Sequence, residues 1–170
     1  MPELPEVEVL VRHLAPLIQG RRIQGVEVRR AKVIAPTAEG ELRERLVGAR
    51  FTGLERRGKF LVFAVQPKGR GKPFSLIGHL GMTGRMYVRE KTGPIPKHAA
   101  VILDLGHEYF VYEDTRYFGR LTLDASSLAG LGPEPRGDQF TPEYLAGALK
   151  RSSQPVKVKL LDQSMVAGVG

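Results

Sequence analysis

The stretch ARFTGLERRGKFLVFAVQ, residues 49–66, decides the fold. Two β-prone arms flank the polar run Arg56-Arg57-Gly58-Lys59. Phe51 and Leu54 lie on the first arm, and Phe60-Leu61-Val62-Phe63-Ala64-Val65 makes the second. Aromatic and β-branched residues around a glycine turn predict a β-hairpin. An apolar run as unbroken as 60–65 predicts a strand buried on both faces.

Working outward, the same punctuation repeats. Arg22 to Ile34 carries Ile23, Val26, Val28, Val33 and Ile34 around Gly25 and reads as a strand. Phe74–Ile77 and Arg85–Val88 are strands flanking a glycine-rich stretch. Ala99–Leu105 and Tyr109–Tyr112 form a second hairpin about Gly106, and Gly119–Leu123 closes the series. Many short strands with Gly and Pro between them predict a β-sandwich or barrel. Helices precede and follow it. Val7, Leu10, Val11, Leu14 and Ile18 make one apolar stripe over residues 5–20, with Pro16 expected to end or kink that helix early. Glu41–Leu46 predicts a short helix. After Leu131-Gly132-Pro133-Glu134-Pro135, Thr141 caps a helix that starts at Pro142, and Pro155 starts another. The expected class is mainly β with α: a β-sandwich domain over 1–131 with an N-terminal helix, then the beginning of a helical domain over 132–170.

Composition narrows the function. The chain has 170 residues, net charge +8 and no cysteine. That excludes a disulfide framework and a thiolate metal site in this chain. No apolar run approaches the ~20 residues of a membrane span. Met1-Pro2-Glu3-Leu4-Pro5-Glu6 is acidic and proline-broken, unlike a signal peptide. A cytoplasmic, nucleoid-associated location is expected. Residues 1–85 hold 16 Lys and Arg against 8 Glu and no Asp, whereas 86–170 hold 10 of each sign. All the net charge lies in the first half, which favours a polyanion partner such as nucleic acid. The plainer explanation is the solubility charge of an Arg-rich chain.

Four places carry candidate chemistry, each with a blander alternative. Removal of Met1 leaves Pro2 as a secondary amine whose reference pKa, roughly 7.7–8.0, leaves part of it unprotonated near neutrality. Such an amine attacks a sugar carbon and forms an iminium, with the adjacent Glu3 as general acid or base; otherwise these residues merely start a helix. Lys59 suits phosphate contact or proton transfer, or is a solvated hairpin lysine. In Gly78-His79-Leu80-Gly81-Met82-Thr83-Gly84 the glycines demand irregular backbone, and Met82 is either a wedge between DNA bases or core filling. Asp114-Thr115-Arg116-Tyr117-Phe118-Gly119-Arg120 suits phosphate contact and base stacking, or is a strand end with an Asp–Arg pair.

Taken in order, these motifs resemble the formamidopyrimidine-DNA glycosylase family. The resemblance spans the chain and rests on Met1 to Glu8, Arg57-Gly58-Lys59-Phe60 and His79 to Gly84. It extends through Lys97-His98, Asp114 to Gly119, Leu131 to Pro135, Leu161-Asp162-Gln163 and Ala167-Gly168-Val169-Gly170. It implies a base-excision DNA repair enzyme that removes oxidised purines (8-oxoguanine, formamidopyrimidines) from duplex DNA and cleaves the abasic strand through a Schiff base. It implies Pro2 as nucleophile, Glu3 as proton donor and Lys59 as the lysine of β-elimination. His79 and His98 match DNA contacts, and Met82, Arg116 and Phe118 match residues that fill the gap left by the everted base. Lys157 matches a phosphate-binding lysine, Arg151 lies close to another basic position, and Glu6 supports the N-terminal geometry.

The chain departs from the pattern in three ways. Tyr117 stands where many members are basic. Ala99-Ala100 replaces a more polar pair. The sequence ends before the Asn that normally follows Val169-Gly170, so the rest of the helix–two-turn–helix domain, the lesion-capping loop and the zinc finger are expected to lie outside it. No cofactor is expected in this chain, and zinc only in that further part. Damaged double-stranded DNA is the expected partner, bound by a monomer away from membranes. The alternatives are an endonuclease VIII-like glycosylase for oxidised pyrimidines and a short non-catalytic DNA-binding module.

Overall fold

In the computed structural model, which describes residues 1–170, the hairpin over residues 49–66 lies at the edge of one of two facing sheets. The chain runs through α1 (Leu4–Ile18), β1 (Gly25–Val28), a 3₁₀ turn (Ala31–Ile34) and α2 (Glu39–Leu46). Seven strands follow: β2 (Arg50–Arg57), β3 (Phe60–Gln66), β4 (Phe74–His79), β5 (Gly84–Glu90), β6 (Ala99–Asp104), β7 (Glu108–Asp114) and β8 (Arg120–Thr122). Then come α3 (Ser126–Ala129), α4 (Pro142–Lys150) and α5 (Val156–Leu161). One antiparallel sheet has the order β1-β6-β7-β5 and the other β2-β3-β4-β8. The β-sandwich is as expected.

Three rings join the sheets. Phe63 on β3 meets Phe110 on β7 edge-on at 5.6 Å between centroids, and Phe51 on β2 lies 5.7 Å from Phe63. α1 packs against β2 and β3 of one sheet and β5 of the other, burying Val7, Val11, Leu14 and Ile18 in the same core. Each such side chain contributes roughly 1.5–3 kcal/mol on burial. α1 is thus a wall of the core, and Val7 ties its first turn to it.

The details correct several expectations. α1 runs through Pro16 to Ile18, because a proline this near the end removes only one helical hydrogen bond. The strand expected over 22–34 is four residues, Gly25–Val28, followed by the 3₁₀ turn. Val33 and Ile34 are neighbours and both buried, which a strand's alternation does not allow on one face. β3 is not buried on both faces: Leu61, Phe63 and Val65 are buried while Ala64 is exposed. Its outer face has no covering layer, so the period of two prevails over the apolar run. Arg56 and Arg57 belong to β2, paired with Leu61 and Phe60, and the turn is only Gly58-Lys59. The cap expected before α4 is present: Thr141 Oγ1 accepts from the Tyr144 N–H at 3.1 Å. α4 and the loop after α5 share a separate small core of Ala148, Met165 and Val166.

Candidate active site and nucleic-acid interface

The residues just before α1 and the β2–β3 turn open on one cavity of about 700 Å³. Met1, Glu3, Lys59, His79, Gln163 and Gly170 are among its walls. Two anchors bring the chain start here. The Glu3 N–H donates to the Glu6 carboxylate at 3.1 Å, so Glu6 does brace the N-terminus. The Leu4 N–H donates to the Gly168 carbonyl at 3.2 Å. Gly168 has φ +91°, and a Cβ there would lie 2.7 Å from Leu4 Cδ1, so only glycine permits this approach. Pro2, whose nitrogen is acylated by Met1, sits beside Glu6, Leu10 and His13 in an adjoining depression. Met1 itself enters the main cavity.

Lys59 is 6% exposed, so it is not the solvated hairpin lysine of the bland reading. No carboxylate lies within ion-pair distance of it. A Cβ placed on Gly170 would lie 2.9 Å from the Glu3 carboxyl carbon and collide with Lys59 Nζ. The carboxylate and the ammonium therefore flank the same glycine.

The turn that carries Lys59 is clamped from outside. Glu134 accepts from the Gly58 N–H at 2.6 Å, from Arg56 at 2.6 Å and from Arg57 at 3.1 Å. Arg56 also reaches Glu8 on α1 at 2.7 Å, and Arg57 donates to the Leu131 and Gly132 carbonyls. Burial pushes the Glu134 carboxyl upward, but the Gly58 N–H and the two guanidiniums outweigh it and hold it below the usual carboxylate range. Gln163 orders the opposite wall: its carbonyl oxygen accepts from the Gly168 N–H, and its amide donates to the Leu161 and Val169 carbonyls.

His79 ends β4 beside the cavity. Its Nδ1 accepts from the Gly81 N–H at 3.0 Å, which leaves the ring proton on Nε2. Burial first, then the charges of Lys59 and Arg120, lower its pKa and favour the neutral ring.

Beyond His79 the two glycine-bearing loops meet. Met82 is 47% and Phe118 48% exposed, so neither fills the core. Arg116 joins them, with Nη1 3.4 Å from Met82 Sδ and Cζ 4.6 Å from the Phe118 centroid. Asp114 holds both loops. Its buried carboxylate accepts from Thr83 Oγ1 at 2.6 Å, Gly119 N at 2.9 Å, Tyr112 Oη at 3.0 Å and Arg116 N at 3.1 Å. The Asp–Arg ion pair of the bland reading is absent; Asp114 meets the Arg116 backbone instead. Burial raises its pKa, yet these hydrogen bonds prevail and lower it.

Of the remaining candidates, His98 borders this cluster, its carbonyl accepting from the Asp114 N–H at 3.0 Å, while Arg151 and Lys157 lie on the helical part. His98 Nδ1 is 3.5 Å from the hydroxyl of Tyr117, whose φ is +54°. Arg151 lies beside Lys159, Ser152 and Ser164 in a depression of about 270 Å³. Lys157 is exposed on α5. No group of three or more His, Asp or Glu is placed to hold a metal ion, and the residues here do not fit zinc. No helix is long and apolar enough to cross a membrane. Arg56 carries no local signal as a site residue, because its partners are 48 and 78 positions away.

The sequence model described as "Formamidopyrimidine-DNA glycosylase N-terminal domain" matches residues 1–121. The chain belongs to the formamidopyrimidine-DNA glycosylase family. It is 41% identical over 170 residues to the formamidopyrimidine-DNA glycosylase of Carboxydothermus hydrogenoformans, covering 100% of this chain and 62% of that protein. The Acidiphilium cryptum relative is also 41% identical, over 178 residues and 62% of its length. A Lactococcus lactis family member, solved with DNA containing an abasic site, superposes with TM-score 0.89 at 31% identity. That match covers 99% of this chain and 63% of the other. The chain thus spans about three fifths of the relatives it matches.

Proposed function

We propose that this chain carries the nucleophile, proton donor and base-displacing wedge of a DNA glycosylase with abasic-site lyase activity. Its substrate is an oxidised purine in duplex DNA. The observation that carries the reading is the meeting of Glu3 and Lys59 at a cavity entered by the first residue, one histidine away from the exposed Met82–Arg116–Phe118 cluster. The names of the relatives and the abasic-site complex of the Lactococcus protein support it.

With Met1 removed, the Pro2 nitrogen offers its lone pair where Met1 now lies. Nitrogen attacks the sugar C1′, the base leaves with the bonding electrons, and the proton of the resulting ammonium passes to the departing base, which restores the nitrogen lone pair. Glu3 protonates the ring oxygen, the sugar opens, and the nitrogen lone pair completes an iminium. Loss of a C2′ proton then expels the 3′ phosphate. Lys59, short of a carboxylate partner, is placed to move that proton or to hold the departing phosphate. Hydrolysis of the iminium returns Pro2. We place this activity on nucleoid DNA in the cytoplasm, with the chain acting as a monomer.

Borohydride reduction tests the assignment. The chain lacking Met1 is expected to trap covalently on lesion-containing duplex, and Pro2→Gly or retention of Met1 to remove most of the adduct. An adduct that survives Pro2→Gly and disappears in Lys59→Ala would transfer the nucleophile's role to the lysine.

A further inference from the structure

We infer that Arg30 and Lys32 grip the phosphodiester backbone of the strand opposite the lesion. The inference rests on the proposed function and adds to it a second-strand contact made by this chain. Both residues are exposed and neither has an ion-pair partner, whereas the neighbouring Arg29 is held by Glu27 at 2.8 Å. Both are instead laid on aromatic rings of the wedge loop. Arg30 Cζ lies 5.1 Å from the Tyr117 centroid and Lys32 Nζ 5.4 Å from the Phe118 centroid. A guanidinium stacked on a ring keeps its edge donors free for phosphate oxygens.

The segment that presents them is anchored. Val33 and Ile34 are buried in the main core, and the 3₁₀ turn packs on β8. Thr37 and Thr122 share a hydrogen bond of 2.8 Å just behind it. Position then names the partner. A second depression of about 350 Å³ shares His79 and Phe60 with the main cavity and is lined by Phe118. Cavity and depression meet at His79, and the depression is lined by Phe118 and by Ala35 and Pro36, which follow the turn that carries Lys32. The damaged nucleotide occupies the cavity and the wedge occupies its vacated place. What lies past the wedge is the partner strand, and its outermost groups are phosphates.

The test measures binding of the chain to duplex with a reduced abasic site across a salt series. Arg30→Ala/Lys32→Ala is expected to shallow the log–log salt slope by about 2, because each phosphate contact contributes roughly 0.9. Arg30→Lys/Lys32→Arg should restore it. Methylphosphonates, which are uncharged, locate the strand. Placed in the undamaged strand near the orphaned base, they should weaken the wild type and leave the double alanine variant unaffected. Placed in the lesion strand, they should weaken both equally. An unchanged slope, or coupling to the lesion strand alone, overturns the inference while wild-type binding and trapping leave the proposed function standing. Absence of salt-dependent duplex binding by the wild-type chain removes both.

Discussion

The cavity and the wedge each depend on a carboxylate, and the two are compensated differently. Glu134 faces two guanidiniums and one backbone N–H. Asp114 faces no cation at all; two hydroxyls and two backbone N–H groups carry its charge. The first arrangement ties segments distant in sequence, from Glu8 through Arg56 to Glu134. The second ties two loops of one surface and fixes where their exposed side chains stand. Removing Glu134 leaves cations that water reaches in part, whereas removing Asp114 strands the buried Tyr112 hydroxyl and Gly119 N–H. The wedge therefore has the sharper dependence on a single group.

The largest stability loss is accordingly expected at Asp114. Asp114→Ala should cost about 3 kcal/mol in urea unfolding, since each stranded donor costs about 1–3 kcal/mol. A loss no greater than that of a surface alanine would mean that the loops hold without it. Glu134→Ala should cost about 2 kcal/mol, in the range of charge-assisted hydrogen bonds. A reversed order of these two variants would break the comparison.

Acid sharpens it. Both carboxyls have folded pKa values below their unfolded ones. Their stabilisation is complete above the unfolded range of about 4 and is lost as pH falls through the depressed folded values. The melting temperature should drop below about pH 4, and Asp114→Asn should flatten that limb. At His79 the effect is smaller. Its pKa lies below 6.5, so the neutral ring adds stability above the unfolded value, lost as pH falls toward the folded one. Its ring NMR signals should titrate below the unperturbed value, and Lys59→Ala, which removes a neighbouring positive charge, should raise the midpoint. Smallest of all, Met82→Ala and Phe118→Ala should each change stability by less than about 0.5 kcal/mol, as surface truncations do. A core role would cost roughly 2–5 kcal/mol.

The sandwich was legible because apolar alternation and turn residues act locally. Phe51, Phe63 and Phe110 could be placed on strands from their neighbours alone. The 3₁₀ turn was missed because Val33-Ile34 looks like a strand until the core demands both side chains. Lys59 was visible as a candidate, but not its burial, since the clamp arrives from Glu134 across the chain. The Pro-Glu-Pro linker gave Glu134 away only as a motif. Asp114 was seen as half of an ion pair, because two of its hydrogen-bond donors are backbone N–H groups and a third is Thr83, 31 residues away, which local sequence does not reveal. Tyr117 drew notice as a missing cation and as part of a stacking cluster; its ring turns out to support Arg30.

Under the proposed function, chemistry and base displacement reside in separate regions. Borohydride trapping by Met82→Ala/Phe118→Ala, with Met1 removed, separates the two on a pair of substrates. With a preformed abasic site, where no base must be displaced, the adduct should match the wild type within about twofold. With an oxidised purine paired in the duplex, it should fall at least about tenfold, since extrusion costs a few kcal/mol and about 1.4 kcal/mol is already a factor of ten. A parallel fall on both substrates would contradict the division and return the wedge residues to a structural role.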